Sequence, residues 1–165
     1  MPGYARAVAD TWKPGSPGVF QLPSGRRVRG RALRRPLPGG APPDFALYLL
    51  GRRPAPVVWD SEWIHWPDFG LPSDTAAFAR SIQRLWDRSE TERVEIACGG
   101  GRGRTGTALA CLLVIDGLDP RDAVSFARTH YARRAVETPW QRRFVTTFRW
   151  PPGRCEDKSC TLPDG

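Results

Sequence analysis

One stretch constrains this chain more than any other: RVEIACGGGRGRTGTALACLLVI, residues 93–115. RVEIA (93–97) reads as a short buried strand that enters a glycine-rich, twice-arginine loop directly. The segment from Thr105 to Ile115 then places Ala108, Leu112 and Ile115 on one helical stripe. A strand feeding a helix through such a loop belongs to a layered α/β domain, with the loop at the carboxyl end of the strand. Loops of this composition hold anions, because small residues let the backbone N–H groups curl inward at a helix N-terminus. The question is which anion, and whether Cys98 at the head of the loop is a nucleophile or only a small buried residue.

The remaining elements fit around that unit. VFQLPSGRRVRGRAL (19–33) predicts a hairpin turning at Pro23-Ser24-Gly25, with alternating arginines on its wet face. RRPLPGGAPPD (34–44) reads as a loop, and FALYLL (45–50) and PVVW (56–59) as short buried strands. SEWIHWPDFGLPSD (61–74) is expected to be a loop closed by Ser73 or Asp74 as a helix cap. The helix it opens runs to about Arg88, with Phe78, Ile82 and Leu85 on one face. Asp119-Pro120 is a cap followed by proline at the first helical position, opening a helix to about Tyr131. Thr138-Pro139-Trp140-Gln141 has capping-box spacing and precedes a face of Trp140, Phe144 and Phe148.

At 165 residues the chain suits one domain with one core. Its expected division is a loop-rich segment at 1–45 that belongs to the domain, a main body at 46–150 and a polar tail at 151–165. The net charge is +8, and arginine supplies 23 of the 25 basic residues. That excess favours acidic or phosphorylated partners, and the guanidinium fork suits oxyanions, although a GC-rich coding sequence accounts for the bias equally well. There is no apolar run of 18 residues. MPGYARAVADTW also lacks the apolar centre of a secretion signal, so the expectation is a cytoplasmic protein with no membrane partner and reduced thiols. Cys98, Cys111, Cys155 and Cys160, with two distant histidines, form no metal-ligand pattern, and no metal or cofactor is expected. Cys155 and Cys160 read as residues of a solvated tail. No stacking motif or recognition helix points to nucleic acid. The oligomeric state is not legible.

Three motifs compete for CGGGRGRTG. A nucleotide-binding P-loop needs glycine at Cys98 and lysine at Arg104, and fails at both. Gly101-Arg102-Gly103-Arg104-Thr105-Gly106 fits the dinucleotide fingerprint, but that reading needs further parallel strands where residues 117–150 read as helix. The third reading uses every residue: Cys98 and Arg104, separated by five residues and followed by Thr105 and Gly106, resemble the signature loop of the protein tyrosine phosphatase superfamily. The physics suits that resemblance. The backbone of Gly99, Gly100, Gly101, Arg102 and Gly103 would bind phosphate oxygens while Arg104 closes the ring bidentately. The same positive potential favours a thiolate at Cys98, placed beneath the phosphorus for in-line attack. The glycines at 99, 100, 101 and 103 permit the dihedrals such a nest requires.

Trp66-Pro67-Asp68 resembles the same family's mobile acid loop, and Pro72 follows as in its smaller dual-specificity members. That resemblance makes Asp68 the acid for the leaving oxygen and then the base toward water; alone, Asp68 is an ordinary turn aspartate. AVETPWQRRFV (135–145) resembles the stretch before the family's last helix. There Gln141 either positions the hydrolytic water or serves only its capping box, and Glu137 stands where larger members carry glutamine. Thr105 stabilises the leaving sulfur, caps the helix, or does both. Arg102 widens the substrate range toward polyanions or is merely solvated. His65 reads as a partly buried structural residue and Cys111 as core. The residue before the cysteine, usually histidine in the family, is Ala97, which removes one support of the loop. The resemblance covers about 56–150.

The implied fold is a central, mostly parallel sheet with helices on both faces, in a single domain. The implied activity is metal-independent hydrolysis of a phosphomonoester through a phosphocysteine. Cys98, Asp68, Arg104, Thr105 and Gln141 are the catalytic candidates, and Gly99 to Arg104 bind the substrate. The partner is a phosphorylated protein or a small phosphorylated metabolite; a non-catalytic phosphate reader is the alternative from another class.

Overall fold

A computed structural model describes residues 10–149. The expected tail at 151–165, with Cys155 and Cys160, lies outside the described residues. Five strands form one sheet in the order β1-β2-β5-β3-β4: β1 (Val19–Gln21), β2 (Arg27–Ala32), β3 (Phe45–Leu50), β4 (Asp60–His65) and β5 (Val94–Cys98). The β1–β2 pair is the expected antiparallel hairpin, and every other pairing is parallel. The helices are α1 (Thr75–Arg88), α2 (Gly103–Ile115), α3 (Pro120–His130) and α4 (Pro139–Thr146).

The caps behave as read. Asp74 accepts from Ala77 N at 2.9 Å, Asp119 accepts from Arg121 N, and Thr138 with Gln141 completes a reciprocal capping box. Each such cap is worth about 1 kcal/mol.

Alternation along the strands sorts their side chains onto two unlike faces. Val28, Phe45, Leu47, Leu49, Val94, Ile96 and Cys98 share one core with residues of all four helices. The opposite face carries Ala46, Tyr48 and Ala97, packed by Leu33, Val57, Trp59 and Trp63. No helix residue joins that second cluster, so among the described residues the helices lie on one face rather than both. The reason is the connection between the parallel neighbours β3 and β4. It contains no helix, and its Val57 and Trp59 pack onto the second face.

Two further expectations are corrected. PVVW is not a strand: Val58 is 99% exposed, and the strand begins at Asp60, within the segment expected to be loop. The alternating arginines of β2 do not all face water. Arg29 is only 3% exposed, its Nε donates to Glu95 Oε2 at 2.6 Å, and Arg31 Nε donates to Glu95 Oε1 at 2.8 Å. Glu95 itself is fully buried. Removing one partner of a buried group like this costs about 3–5 kcal/mol. The cluster therefore ties β2 to β5 directly behind the glycine loop. No helix of the described residues is long and apolar enough to cross a membrane.

Candidate active site

Cys98 is the last residue of β5, and the hydrogen-bonded parallel neighbours β2 and β3 fix where that strand ends. The chain then turns through Gly99 to Arg102 into α2. Gly101 N donates to Cys98 Sγ at 3.2 Å, and the Thr105 hydroxyl donates to it at 3.0 Å. The buried sulfur thus accepts one hydrogen bond from its own loop and one from the first turn of α2. The N–H groups of Gly99, Gly100, Arg102, Gly103, Arg104 and Thr105 have no acceptor among the described residues. Those of Gly103 to Thr105 belong to the first turn of α2, where helix geometry leaves donors unpaired.

Of the four loop glycines, Gly101 alone adopts positive φ, at +68°. A Cβ there would stand 2.8 Å from Ala32 N, so this position needs glycine for conformation and for space alike. A Cβ on Gly103 would stand 2.6 Å from Glu137 Oε2, which places that carboxylate at the α2 end of the loop.

Arg104 and Asp68 meet above the sulfur loop although 36 positions separate them in the chain. Arg104 is buried; its Nη1 donates to Trp66 O at 3.1 Å, and its Nη2 lies 3.4 Å from Asp68 Oδ1. Asp68 remains half exposed. The loop that carries it hangs from Trp66, whose ring is fully buried edge-on against Phe78 and Phe144. Trp66 Nε1 donates to Gly70 O at 2.7 Å, closing the Pro67–Gly70 turn, in which Phe69 takes φ +57°.

Gln141 stands behind this turn. Its Oε1 accepts from Glu137 N at 3.0 Å and Thr138 N at 3.3 Å, while its Nε2 donates to Gly70 O at 3.1 Å. Both ends of the amide are thus engaged, in the helix cap and in the acid loop. Trp140 adds a fourth tie, from its Nε1 to Phe69 O at 2.6 Å. Arg102 lies exposed on the crown of the loop, with no ion pair among the described residues. His65 is exposed, not partly buried, and its Nδ1 lies 2.5 Å from Ser73 Oγ. Cys111 is buried in α2 as expected, and burial pushes its thiol far above the ordinary range.

One supporting residue escaped the sequence reading. The Tyr131 hydroxyl donates to Gly101 O at 2.6 Å. Its ring occupies space that any side chain at Gly30 would fill. Burial, followed by the charge of Cys98, raises the Tyr131 phenol above its usual range, so it stays a donor. Ala97 faces the other way, into the Tyr48 cluster, and offers the loop nothing. The sequence marks Tyr131 as the approximate end of a helix; Gly30, an interruption in a strand, is the one hint of a close approach.

Residues 71–147 match the family model described as the Swiss Army Knife protein, DSP-PTPase phosphatase domain. That match, with the relatives below, supports kinship with the protein tyrosine phosphatase superfamily. The family model and the solved relatives support a cysteine-dependent phosphatase domain. It is similar to the crystal structure of Tk-PTP in the active form, with 27% identity, a TM-score of 0.53 and coverage of 62% of this chain and 74% of that one. Kinase associated phosphatase, solved with its catalytic-site cysteine replaced by serine, shares the fold at 18% identity and TM-score 0.51 over 62% of this chain and 66% of that one. An uncharacterized protein of Methanocaldococcus jannaschii is 28% identical over 64% of this chain and 77% of its own. Human tyrosine-protein phosphatase non-receptor type 4 is 31% identical over 51% of this chain. The chain spans only about a tenth of that human relative's length.

Proposed function

We propose that the chain hydrolyses phosphomonoesters without a metal ion, in two steps through a phosphocysteine at Cys98. In the first step Sγ attacks phosphorus in line. The bond to the leaving oxygen breaks, and Asp68 gives that oxygen its proton. Arg104 and the free N–H groups of the loop hold the three equatorial oxygens throughout, where negative charge is spread in the transition state. In the second step the Asp68 carboxylate takes a proton from water, and the oxygen attacks phosphorus. The S–P bond breaks, Thr105 donates to the departing thiolate, and inorganic phosphate leaves. The observation that carries this reading is the Sγ of Cys98 accepting from Thr105 and Gly101, on the same loop whose Arg104 reaches Asp68.

The favoured substrate class is phosphotyrosine or another phosphorylated side chain of a protein. The relatives named tyrosine phosphatases support it, as do the exposed rings of Phe69 and Trp140 on the acid loop and beside it. A small phosphorylated metabolite is the second reading. It is supported by exposed arginines around the phosphate loop, taken up below.

The test is hydrolysis of p-nitrophenyl phosphate in chelator by the wild type, Cys98→Ser and Asp68→Asn. Activity abolished in the first variant and lowered about 10²–10⁴-fold in the second is the expected result. A wild type that binds vanadate yet never turns over would make the loop a phosphate reader and overturn the proposal.

A further inference from the structure

The chain after β2 follows the phosphate loop residue by residue. Leu33 N donates to Cys98 O at 2.9 Å, and Arg34 N donates to Gly99 O at 3.1 Å. These two bonds extend the β2–β5 pairing beyond the sheet and hold Arg34 against the mouth of the loop. A Cβ built on Gly99 would lie 3.6 Å from Arg34 Nε, 3.7 Å from Arg34 Nη2 and 3.4 Å from Arg104 Nη2. Two guanidinium groups therefore converge on one point beside Gly99.

Arg34 has no obvious structural employment. Arg29, Arg31, Arg84, Arg88 and Arg93 are each ion-paired, whereas Arg34 is exposed and makes no ion pair among the described residues. Arg102, on the crown of the same loop, is alike in both respects. The carboxylates of the rim are placed elsewhere: Asp68 is engaged with Arg104, and Glu137 lies at the Gly103 end of the loop. The Gly99 end is thus cationic beyond what one phosphate needs. Arg34 also precedes the residues matched by the family model, so the family resemblance does not account for it.

We propose that Arg34 forms a second anion subsite beside the phosphate loop, selecting phosphomonoesters that carry a second phosphoryl group on a neighbouring atom. The inference rests on the reading of Cys98 as the phosphate-binding nucleophile. A dianionic phosphate bound beside Gly99 would take two N–H donors from the Arg34 fork, while the scissile group occupies the loop and Arg104. The ligand chemistry is a compact bisphosphate, whether free in solution or displayed as a lipid headgroup.

The experiment compares kcat/KM of the wild type, Arg34→Lys and Arg34→Ala on inositol 4-phosphate, inositol 4,5-bisphosphate, phosphatidylinositol 4,5-bisphosphate in vesicles, and a phosphotyrosine peptide with flanking aspartates. The wild type should favour bisphosphate over monophosphate. Arg34→Ala should cut that ratio about 10–100-fold, the scale of a lost charge-assisted hydrogen-bond pair, with Arg34→Lys restoring only part of it. Better turnover of the vesicle than of the soluble headgroup assigns the source to lipid, and the reverse to a free metabolite; both support the subsite. A wild type without bisphosphate preference overturns it, as does an Arg34→Ala loss equal on all substrates. An Arg34→Ala loss confined to the acidic peptide does so too, giving Arg34 to peptide recognition instead. Failure of the underlying reading is distinguishable, because the wild type would then turn over none of these substrates, or Cys98→Ser would turn them over as the wild type does.

Discussion

Replacing Tyr131 with phenylalanine removes one oxygen and leaves the ring in place against Phe20, whose ring centroid lies 6.1 Å away. What is lost is the 2.6 Å hydrogen bond to Gly101 O, a buried carbonyl with no other donor among the described residues. Leaving such a group unpaired costs about 1–3 kcal/mol. Gly101 is also the residue whose N–H donates to Cys98 Sγ, so the carbonyl that loses its support is one Cα away from the peptide that holds the sulfur. If the cost falls on the active arrangement of the loop, kcat/KM drops by about 5–150-fold, at tenfold per 1.4 kcal/mol. The assay is kcat/KM on p-nitrophenyl phosphate together with the rate at which iodoacetate inactivates Cys98, beside a urea unfolding curve. The expected result is a parallel fall in turnover and inactivation rate, with a small loss of unfolding free energy. Wild-type values for both rates would refute the reasoning and leave Tyr131 as a core residue only.

Three other outcomes follow from the geometry. Gln141→Glu keeps the acceptor of the capping box but places an oxygen against Gly70 O. It should loosen the acid loop and slow phenyl phosphate, a poor leaving group, more than p-nitrophenyl phosphate; equal slowing of both would show that only the helix cap matters. Iodoacetamide should label Cys98 in the native protein and leave Cys111 unlabelled until denaturation, as peptide mapping would show, because burial holds the Cys111 thiol protonated. The hydrogen bond from Arg84 holds the Glu62 carboxyl below its ordinary range. The stability it contributes is present above the unfolded carboxyl value and is lost as the pH falls through the folded one. Unfolding midpoints should therefore decline between about pH 5 and pH 3 more steeply in the wild type than in Glu62→Gln.

What could be read from the sequence was local. The strand, glycine loop and helix around Cys98 are contiguous, so their spacing alone places sulfur, amides and guanidinium in one turn. The caps at Asp74, Asp119 and Thr138 are likewise written within four residues each. Asp68 was legible only through its resemblance to an acid loop, since nothing local says that its carboxylate reaches Arg104. Features made by the folded topology were misread or missed. The apolar run PVVW belongs to the connection that covers the second sheet face, and β4 starts after it. Arg29 looked solvent-facing because its partner, Glu95, lies 66 positions away. Tyr131 and Arg34 act on the loop from 30 and 65 positions away from the residues they touch, and only the parallel pairing of β2 with β5 brings Arg34 there.

The most direct test of the central claim is covalent. Wild-type protein mixed with excess p-nitrophenyl phosphate and quenched in denaturant within one turnover should carry the mass of one phosphoryl group, mapped to the peptide containing Cys98 and absent from Cys98→Ser. Burst release of p-nitrophenol with no phosphoryl group on the protein, and a Cys98→Ser variant that still turns over, would contradict it.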